Sequence, residues 1–504
     1  MHRRARSQRS HVYVRMVIGL AMGVSLTWAC DAPSSGSISE ETGTAPVALE
    51  DELGTDAPAD PSDRPTSDAE IVRDLRALLA RLVAEDRFSG TVLFAKHGQP
   101  LFAQAHGWSA RAFNAKITMG TKFNTASTAK LFTSTSILQL AGEGKLSLDD
   151  TLSAVLPAYP NPAIARKVTI RQLLAMTSGM GDYVNMKLVE RNPDMLRTIE
   201  DHLPFFVDDP LRFEPGTQQS YSNAGFMILG LVIERVSGQR FEEYVRTHIF
   251  EPAGMVDSGH YTSQDDIPNL ALNYTSFTDP DGPRVVALRL GRGAAPAGGG
   301  GTHTTVGDLL RFAQAIRAGK LLDRTHTDLL MQYRPTEMWH LYGWDQTYVN
   351  GIHITGHGGA TMGTSAAFSM YPDLGYTVAV LSNYDGAAML VGSRLQARLT
   401  GEPSPRAVHV PDHVLQQFAG RYVEGGGGGA PTVPTIYITV EHGALVVSIP
   451  LQGKHKFLPL STAEFFDDDM LTPRLTFTRD GNGAVTGLVL TGIRRDPTRA
   501  SKRL

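Results

Sequence analysis

Residues 126–141 read ASTAKLFTSTSILQLA, apolar or small on every side of a helical projection. A helix of that kind has no face to give to water, so it is stable only when other structure surrounds it. Gly142 and Gly144 follow it, as glycine does where the chain leaves a helix in a left-handed conformation. Burying such a helix needs a large domain, and 504 residues with 42% hydrophobic content supply the material. That length exceeds one ordinary domain, so two or three folded units are expected. One charge interrupts the apolar surface: Lys130, three residues after Ser127.

Residues three apart share a helix face, so the Ser127 hydroxyl and the Lys130 amine can meet. A serine at a helix N-terminus also sits at the positive end of the dipole, which favours developing negative charge. A lysine held among apolar residues loses solvation, its proton affinity falls, and it can accept the serine proton. A Ser-x-x-Lys spacing arises about once by chance in a chain this long. Here it occurs once, and it opens a helix expected to be buried, where an idle lysine is costly.

Two further elements carry suitable chemistry. In Tyr221-Ser222-Asn223 the phenol can relay a proton and the amide can bind a substrate carbonyl. Tyr-x-Asn also occurs at Tyr159, Tyr183 and Tyr348, where chance explains it. Tyr221 differs because it follows the turn Glu214-Pro215-Gly216 and directly precedes an apolar helix, which would pin it. In His357-Gly358-Gly359-Ala360 the glycines let a substrate backbone approach, and the amides of Ala360 and Ser127 form a candidate oxyanion hole. Taken alone, His-Gly-Gly reads equally well as a turn. Tyr342 and Trp344 are expected either to line the cleft or to pack in the core. His303 and His353 are expected to be ordinary surface or loop residues.

Several classes are disfavoured. A net charge of −4 gives no basic face for nucleic acid. A single cysteine, Cys30, allows neither a disulfide framework nor a cysteine zinc site. There is no His-Glu-x-x-His for a metalloprotease, and no Gly-x-Ser-x-Gly between a strand and a helix. No metal or cofactor is expected.

Along the chain, Arg3, Arg4, Arg6, Arg9 and Arg15 precede an uncharged apolar stretch from Met16 to Ala29, which reads as an export signal. Ala29-Cys30 resembles a bacterial lipoprotein processing site, with Cys30 lipidated, although Trp28 is bulky and Leu26 sits one position early. A cleaved secretory signal and an uncleaved anchor are the alternatives. Residues 31–68 hold ten Asp or Glu and one Arg among Pro, Ser, Gly and Thr, the composition of a disordered tether. Such a protein would face the periplasm or be secreted, touching a membrane only through its anchor. Structure is expected from Ser67-Asp68, with Ile71, Leu75, Leu78, Leu79 and Leu82 at helical spacing. A hairpin follows over 90–96 and 100–107, helices over about 224–236 and from Thr305 to Gly319, and paired strands over 365–371 and 376–382. Pro403, Pro405 and Pro411 mark a linker at 403–410 between a catalytic domain (69–402) and an all-β unit (411–504), a small meander or barrel.

The order Ser-x-x-Lys, Tyr-x-Asn, His-Gly-Gly resembles the serine hydrolases of the class C β-lactamase, D-Ala-D-Ala carboxypeptidase and family VIII esterase group. LSLDDTLSAVL (146–156), TIRQLLAMTSG (169–179), EPGTQQSYSN (214–223) and GGGGTHTTVGDLLRF (298–312) resemble the group too. The resemblance covers about residues 70–400. It implies an α/β fold of the β-lactamase/transpeptidase type, an antiparallel sheet flanked by helices plus an all-helical subdomain, with the site between them. The unit from 411 onward resembles the lipocalin-like domain often appended to the group. By resemblance, Ser127 is the nucleophile, Lys130 its activator and Tyr221 the general acid/base. Asn223, His357, Gly358, Gly359 and Ala360 then bind substrate, the Ala360 and Ser127 amides serving as oxyanion donors. His357 departs from the lysine usual in β-lactamases and holds a substrate carboxylate less reliably. The expected activity is therefore ester or amide hydrolysis on a small-molecule or peptide substrate through an acyl-enzyme. A β-lactamase or penicillin-binding carboxypeptidase is the first alternative, and a non-catalytic envelope binding protein the second.

Overall fold

The computed structural model describes residues 67–181, 196, 198–261, 265–279, 282–288, 301–331, 340–402, 405–424, 435–449, 453–470, 473–491 and 498–503. The export signal, Cys30 and nearly all of the acidic tether lie outside the described residues. Order begins at a capping box: Ser67 accepts from the Glu70 amide while Glu70 reaches back to the Ser67 amide. Helix α1 (Asp68–Ala84) follows, with Ile71, Leu75, Leu78, Leu79 and Leu82 all buried, as the spacing predicts.

The hairpin β1 (Gly90–Lys96) and β2 (Gln99–His106) joins a seven-stranded antiparallel sheet. The short strand β3 (Phe123–Asn124), the helices α2 (Lys130–Gly142) and α3 (Asn223–Ser237), the short strands β4 (Gly259–His260) and β5 (Thr302–Thr304) and helix α4 (Val306–Arg317) come between. The sheet is then completed by β6 (His340–Leu341), β7 (Trp344–Val349), β8 (Ile352–Thr361), β9 (Thr364–Tyr371) and β10 (Tyr376–Ser382), in the order β6-β7-β8-β9-β10-β1-β2. The first and last thirds of the domain thus meet at β1 and β10, where Gly90 pairs with Ser382 and Lys96 with Tyr376.

Strand residues alternate between two cores, which explains why β1 and β10 are apolar throughout rather than alternating. Val92 and Phe94 of β1, with Val378 and Val380 of β10, pack against α1 and helix α5 (Ala387–Thr400). Leu93, Ala95, Ala379 and Leu381 face the helical side, joined to Phe132, Phe226 and Phe312 of α2, α3 and α4. Helix α2 is buried on nearly all sides, as its sequence requires.

From Gly420 the chain forms a closed antiparallel barrel: β11 (Gly420–Glu424), β12 (Thr435–Glu441), β13 (Ala444–Ile449), β14 (Gly453–Pro459), β15 (Glu464–Asp467), β16 (Arg474–Arg479), β17 (Val485–Thr491) and β18 (Thr498–Arg503), each paired with the next and β18 with β11. Phe418, Phe465 and Phe477 cluster with Tyr422 in its interior, the rings of Phe418 and Phe477 being 4.3 Å apart. The barrel docks through Asp469, whose buried carboxylate takes hydrogen bonds from both Arg81 and Arg87. Beneath it, Asp467 accepts from the amides of Asp469 and Met470 and from His455 Nδ1 at 2.7 Å.

Candidate active site

The turn that presents Ser127 is made by its neighbours. Strand β3 pairs with β5, Phe123 opposite Thr304 and Asn124 opposite His303. Thr125 then fastens the chain, its amide and hydroxyl both donating to the Thr302 carbonyl. Ala126 follows with φ of +46°, the left-handed region that residues with a Cβ rarely occupy. Its amide is held by Asn124 Oδ1 at 2.8 Å. The helical segment expected from Ala126 therefore opens as a tighter turn. Residues Ala126–Ala129 form one 3₁₀ turn, and α2 begins at Lys130.

The pair expected from the spacing meets here. In a 3₁₀ turn side chains three apart eclipse each other, and Lys130 Nζ lies 3.2 Å from Ser127 Oγ. Ser127 is half-buried whereas Lys130 is wholly buried. A second bond from Lys130 Nζ reaches Asn223 Oδ1 at 2.7 Å. These two bonds orient the amine beside the Ser127 hydroxyl.

Tyr221 and Asn223 are placed by the residue between them. Ser222 caps α3, accepting from the Gly225 amide at 2.9 Å, and donates to the Gly181 carbonyl at 2.7 Å. The Tyr221 ring then lies 4.9 Å from Lys130 Nζ and 6.4 Å from the His357 ring. Asn223 meets the lysine through its carbonyl oxygen, which accepts from Nζ. The sequence reading gave Asn223 to the substrate alone; the structure adds that it holds Lys130.

Strand β8 lies across the nucleophile turn. A Cβ on Gly359 would stand 2.4 Å from the Thr125 carbonyl oxygen and 3.0 Å from the amide nitrogens of Ser127 and Thr128. Only glycine fits that approach. His357 is buried, and its Nδ1 is bonded to the Gly358 carbonyl. A carbonyl only accepts, so Nδ1 carries the hydrogen, and in the neutral ring Nε2 is the unprotonated nitrogen. Ala360 is half-exposed and pairs with Ser365. Ser127, Lys130, Tyr221, Asn223 and the run from His357 to Ala360 therefore lie on elements that meet at one place.

Other expectations change. His303 and His353 are not surface residues: His303 is buried in β5 beside the turn, and His353 Nε2 is bonded to Gln346 Oε1 at 2.7 Å, with burial holding its proton affinity below the ordinary imidazole value. Trp344 is wholly buried against Phe312 and Phe368, so it belongs to the core. Sequence reasoning missed Thr128, whose Oγ1 donates to the His357 carbonyl at 3.2 Å; one threonine inside an apolar run gives no signal. Among the described residues no group of three or more His, Cys, Asp and Glu is placed to hold a metal ion.

The family profile described as Beta-lactamase matches residues 75–401. The chain belongs to the β-lactamase family. Members similar to it include esterase EstB of Burkholderia gladioli, 30% identical over 297 residues covering 52% of this chain and 74% of that protein. Penicillin-binding protein 4 of Amycolatopsis lactamdurans is 28% identical over 322 residues, covering 59% and 81%. Among solved structures, a penicillin-binding protein from Bacillus halodurans is 32% identical with a TM-score of 0.56, covering 64% of this chain and 98% of that one. The β-lactamase-family fold and a serine-hydrolase assignment follow, with the closed barrel as a unit outside the family match.

Proposed function

We propose that Ser127 attacks an ester or amide carbonyl and carries the acyl group between two half-reactions. Lys130 Nζ takes the Ser127 proton as Oγ bonds to the carbonyl carbon. The tetrahedral oxyanion is held by the amides of Ser127 and Ala360. Its collapse breaks the bond to the leaving group, which receives a proton through the Tyr221 phenol. Water then attacks the acyl ester by the same proton route in reverse and releases Ser127. Asn223 keeps the amine aimed at Oγ and offers its NH₂ end to the substrate.

The observation that carries this reading is the contact between Lys130 Nζ and Ser127 Oγ, made by a lysine with no exposure to water. That contact puts the amine within hydrogen-bond distance of the proton it would remove, the geometry a general base requires. The names of esterase EstB and of the penicillin-binding proteins support esters and acyl-peptide-like amides as the substrate class. A histidine at 357, in place of a permanently charged lysine, favours substrates that do not rely on a carboxylate at that point.

The test is hydrolysis of p-nitrophenyl butyrate and of nitrocefin by the full chain and by Ser127→Ala. Ester turnover lost in the variant, with nitrocefin untouched, supports the esterase reading. Nitrocefin turnover by the parent moves the assignment to β-lactam substrates, and equal ester turnover in both proteins overturns the role of Ser127.

The same proposal includes export and tethering through Cys30, supported by the arginine-rich leader, the apolar stretch Met16–Ala29 and the acidic segment after it. Mass spectrometry of the mature protein tests it: a diacylglyceryl-modified Cys30 supports the anchor, and an unmodified Cys30 refutes it.

A further inference from the structure

An oxyanion hole built from one amide on a turn and one on a strand works only if turn and strand keep a fixed separation. In this chain two features act on that separation. Gly359 lets β8 come down onto the backbone of the turn, with its missing Cβ 3.0 Å from the amide nitrogens of Ser127 and Thr128. That sets how near the strand can come. It does not stop the strand from lifting away.

Thr128 supplies the opposing restraint. It follows the nucleophile directly, is wholly buried, and its Oγ1 donates to the His357 carbonyl at 3.2 Å. The bond ties the residue after Ser127 to the residue three before Ala360. It also ends on the backbone of His357, whose ring lies beside Tyr221. A buried hydroxyl without a partner is unfavourable, so the threonine is held to this bond rather than to alternatives in water.

We propose that Thr128 is a positioning residue that clamps β8 against the nucleophile turn and so fixes the spacing of the two oxyanion donors. The inference rests on Ser127 as nucleophile. Thr128 touches neither substrate nor reacting atoms; it acts through the strand. A donor displaced by a fraction of an ångström loses most in the transition state, where charge has accumulated on the oxygen. The effect therefore falls on kcat and on the affinity of a tetrahedral adduct more than on KM.

The experiment compares Thr128→Ser, Thr128→Ala and Thr128→Val with Ser127→Ala in the full chain. The readouts are kcat and KM on p-nitrophenyl butyrate, inhibition by phenylboronic acid, and Tm. Phenylboronic acid adds to a serine Oγ to give a tetrahedral anion that needs the same two donors. The proposal expects kcat to fall by about tenfold or more in the Ala and Val variants, with KM little changed and phenylboronic acid binding weakened in parallel. Thr128→Ser, which keeps the hydroxyl, restores both. Ser and Ala differ by that one hydroxyl, so their comparison stands even if valine disturbs the fold. Equal kcat and equal boronate affinity in Ser and Ala, with Ser127→Ala inactive, would overturn the clamp and leave the nucleophile intact. Activity retained by Ser127→Ala would instead overturn the reading on which the clamp rests.

Discussion

Lys130 Nζ stands 3.2 Å from Ser127 Oγ although the two residues belong to different kinds of helix, one opening α2 and the other within the 3₁₀ turn before it. The left-handed Ala126 turns the backbone just ahead of the nucleophile. Positive φ at a residue with a Cβ costs on the order of 1–2 kcal/mol. Anchors at and just before it, the Ala126 amide donating to Asn124 Oδ1 and Thr125 donating to the Thr302 carbonyl, offset it. Lys130→Met keeps the length and the apolar surroundings and removes the base. Acylation on p-nitrophenyl butyrate, followed by stopped flow, is expected to slow by about a thousandfold with the far-UV circular dichroism unchanged.

Tyr221 sits between Lys130 and His357, its ring forming part of the wall of the site. Tyr221→Phe retains that wall and removes the proton relay. Its kcat is expected to fall by about a hundredfold on an alkyl ester, whose alkoxide needs a proton. The loss should be smaller on p-nitrophenyl butyrate, whose leaving group departs as an anion. Equal losses on both substrates would count against a relay role.

Gly359→Ala places a methyl group 2.4 Å from the Thr125 carbonyl oxygen. Backbone cannot yield as a flexible side chain would, so β8 must lift from the turn. Overpacking of this kind costs about 1–3 kcal/mol. Chemical denaturation is expected to show that loss, with kcat reduced further than stability alone explains.

The barrel is held to the catalytic domain by Asp469. Burial alone would push its carboxyl up, but Arg87 and Arg81 outweigh burial and hold it below the usual carboxylate range. A carboxylate whose folded pKa lies below its unfolded value stabilises above the unfolded value, and that contribution is lost as pH falls through the folded one. Asp469→Asn is therefore expected to be less stable than the parent by about 3 kcal/mol at neutral pH, the low end for a broken buried pair because both guanidinium groups keep some hydration. The gap should narrow below about pH 4, as thermal melts across pH would show.

The sheet, the central helix and the site were legible because each rests on a local signal. Apolar runs marked β1, β9 and β10, and the apolar run from about Ala224 marked α3. Three barrel strands were not legible. In β14 (GKHKFLP) the polar His455 takes a buried position and in β18 (TRASKR) the small Ala500 takes one, so neither shows an apolar period, while β15 (EFFD) is too short to show one. The 3₁₀ turn was hidden for another reason: nothing in the identity of Ala126 announces a left-handed conformation imposed by Asn124 and β5. The burial of His303 and His353 comes from tertiary packing, which a polar residue type does not reveal.

The acyl-enzyme itself is the most direct test of the account. The full chain would be mixed with p-nitrophenyl butyrate, quenched in acid within the first turnovers, digested and mapped by mass spectrometry. The account predicts a butyryl ester on the peptide containing Ser127, absent from Ser127→Ala and accumulating when the second half-reaction is slowed. Rapid ester hydrolysis with no adduct on Ser127, or with the adduct on another residue, would contradict it.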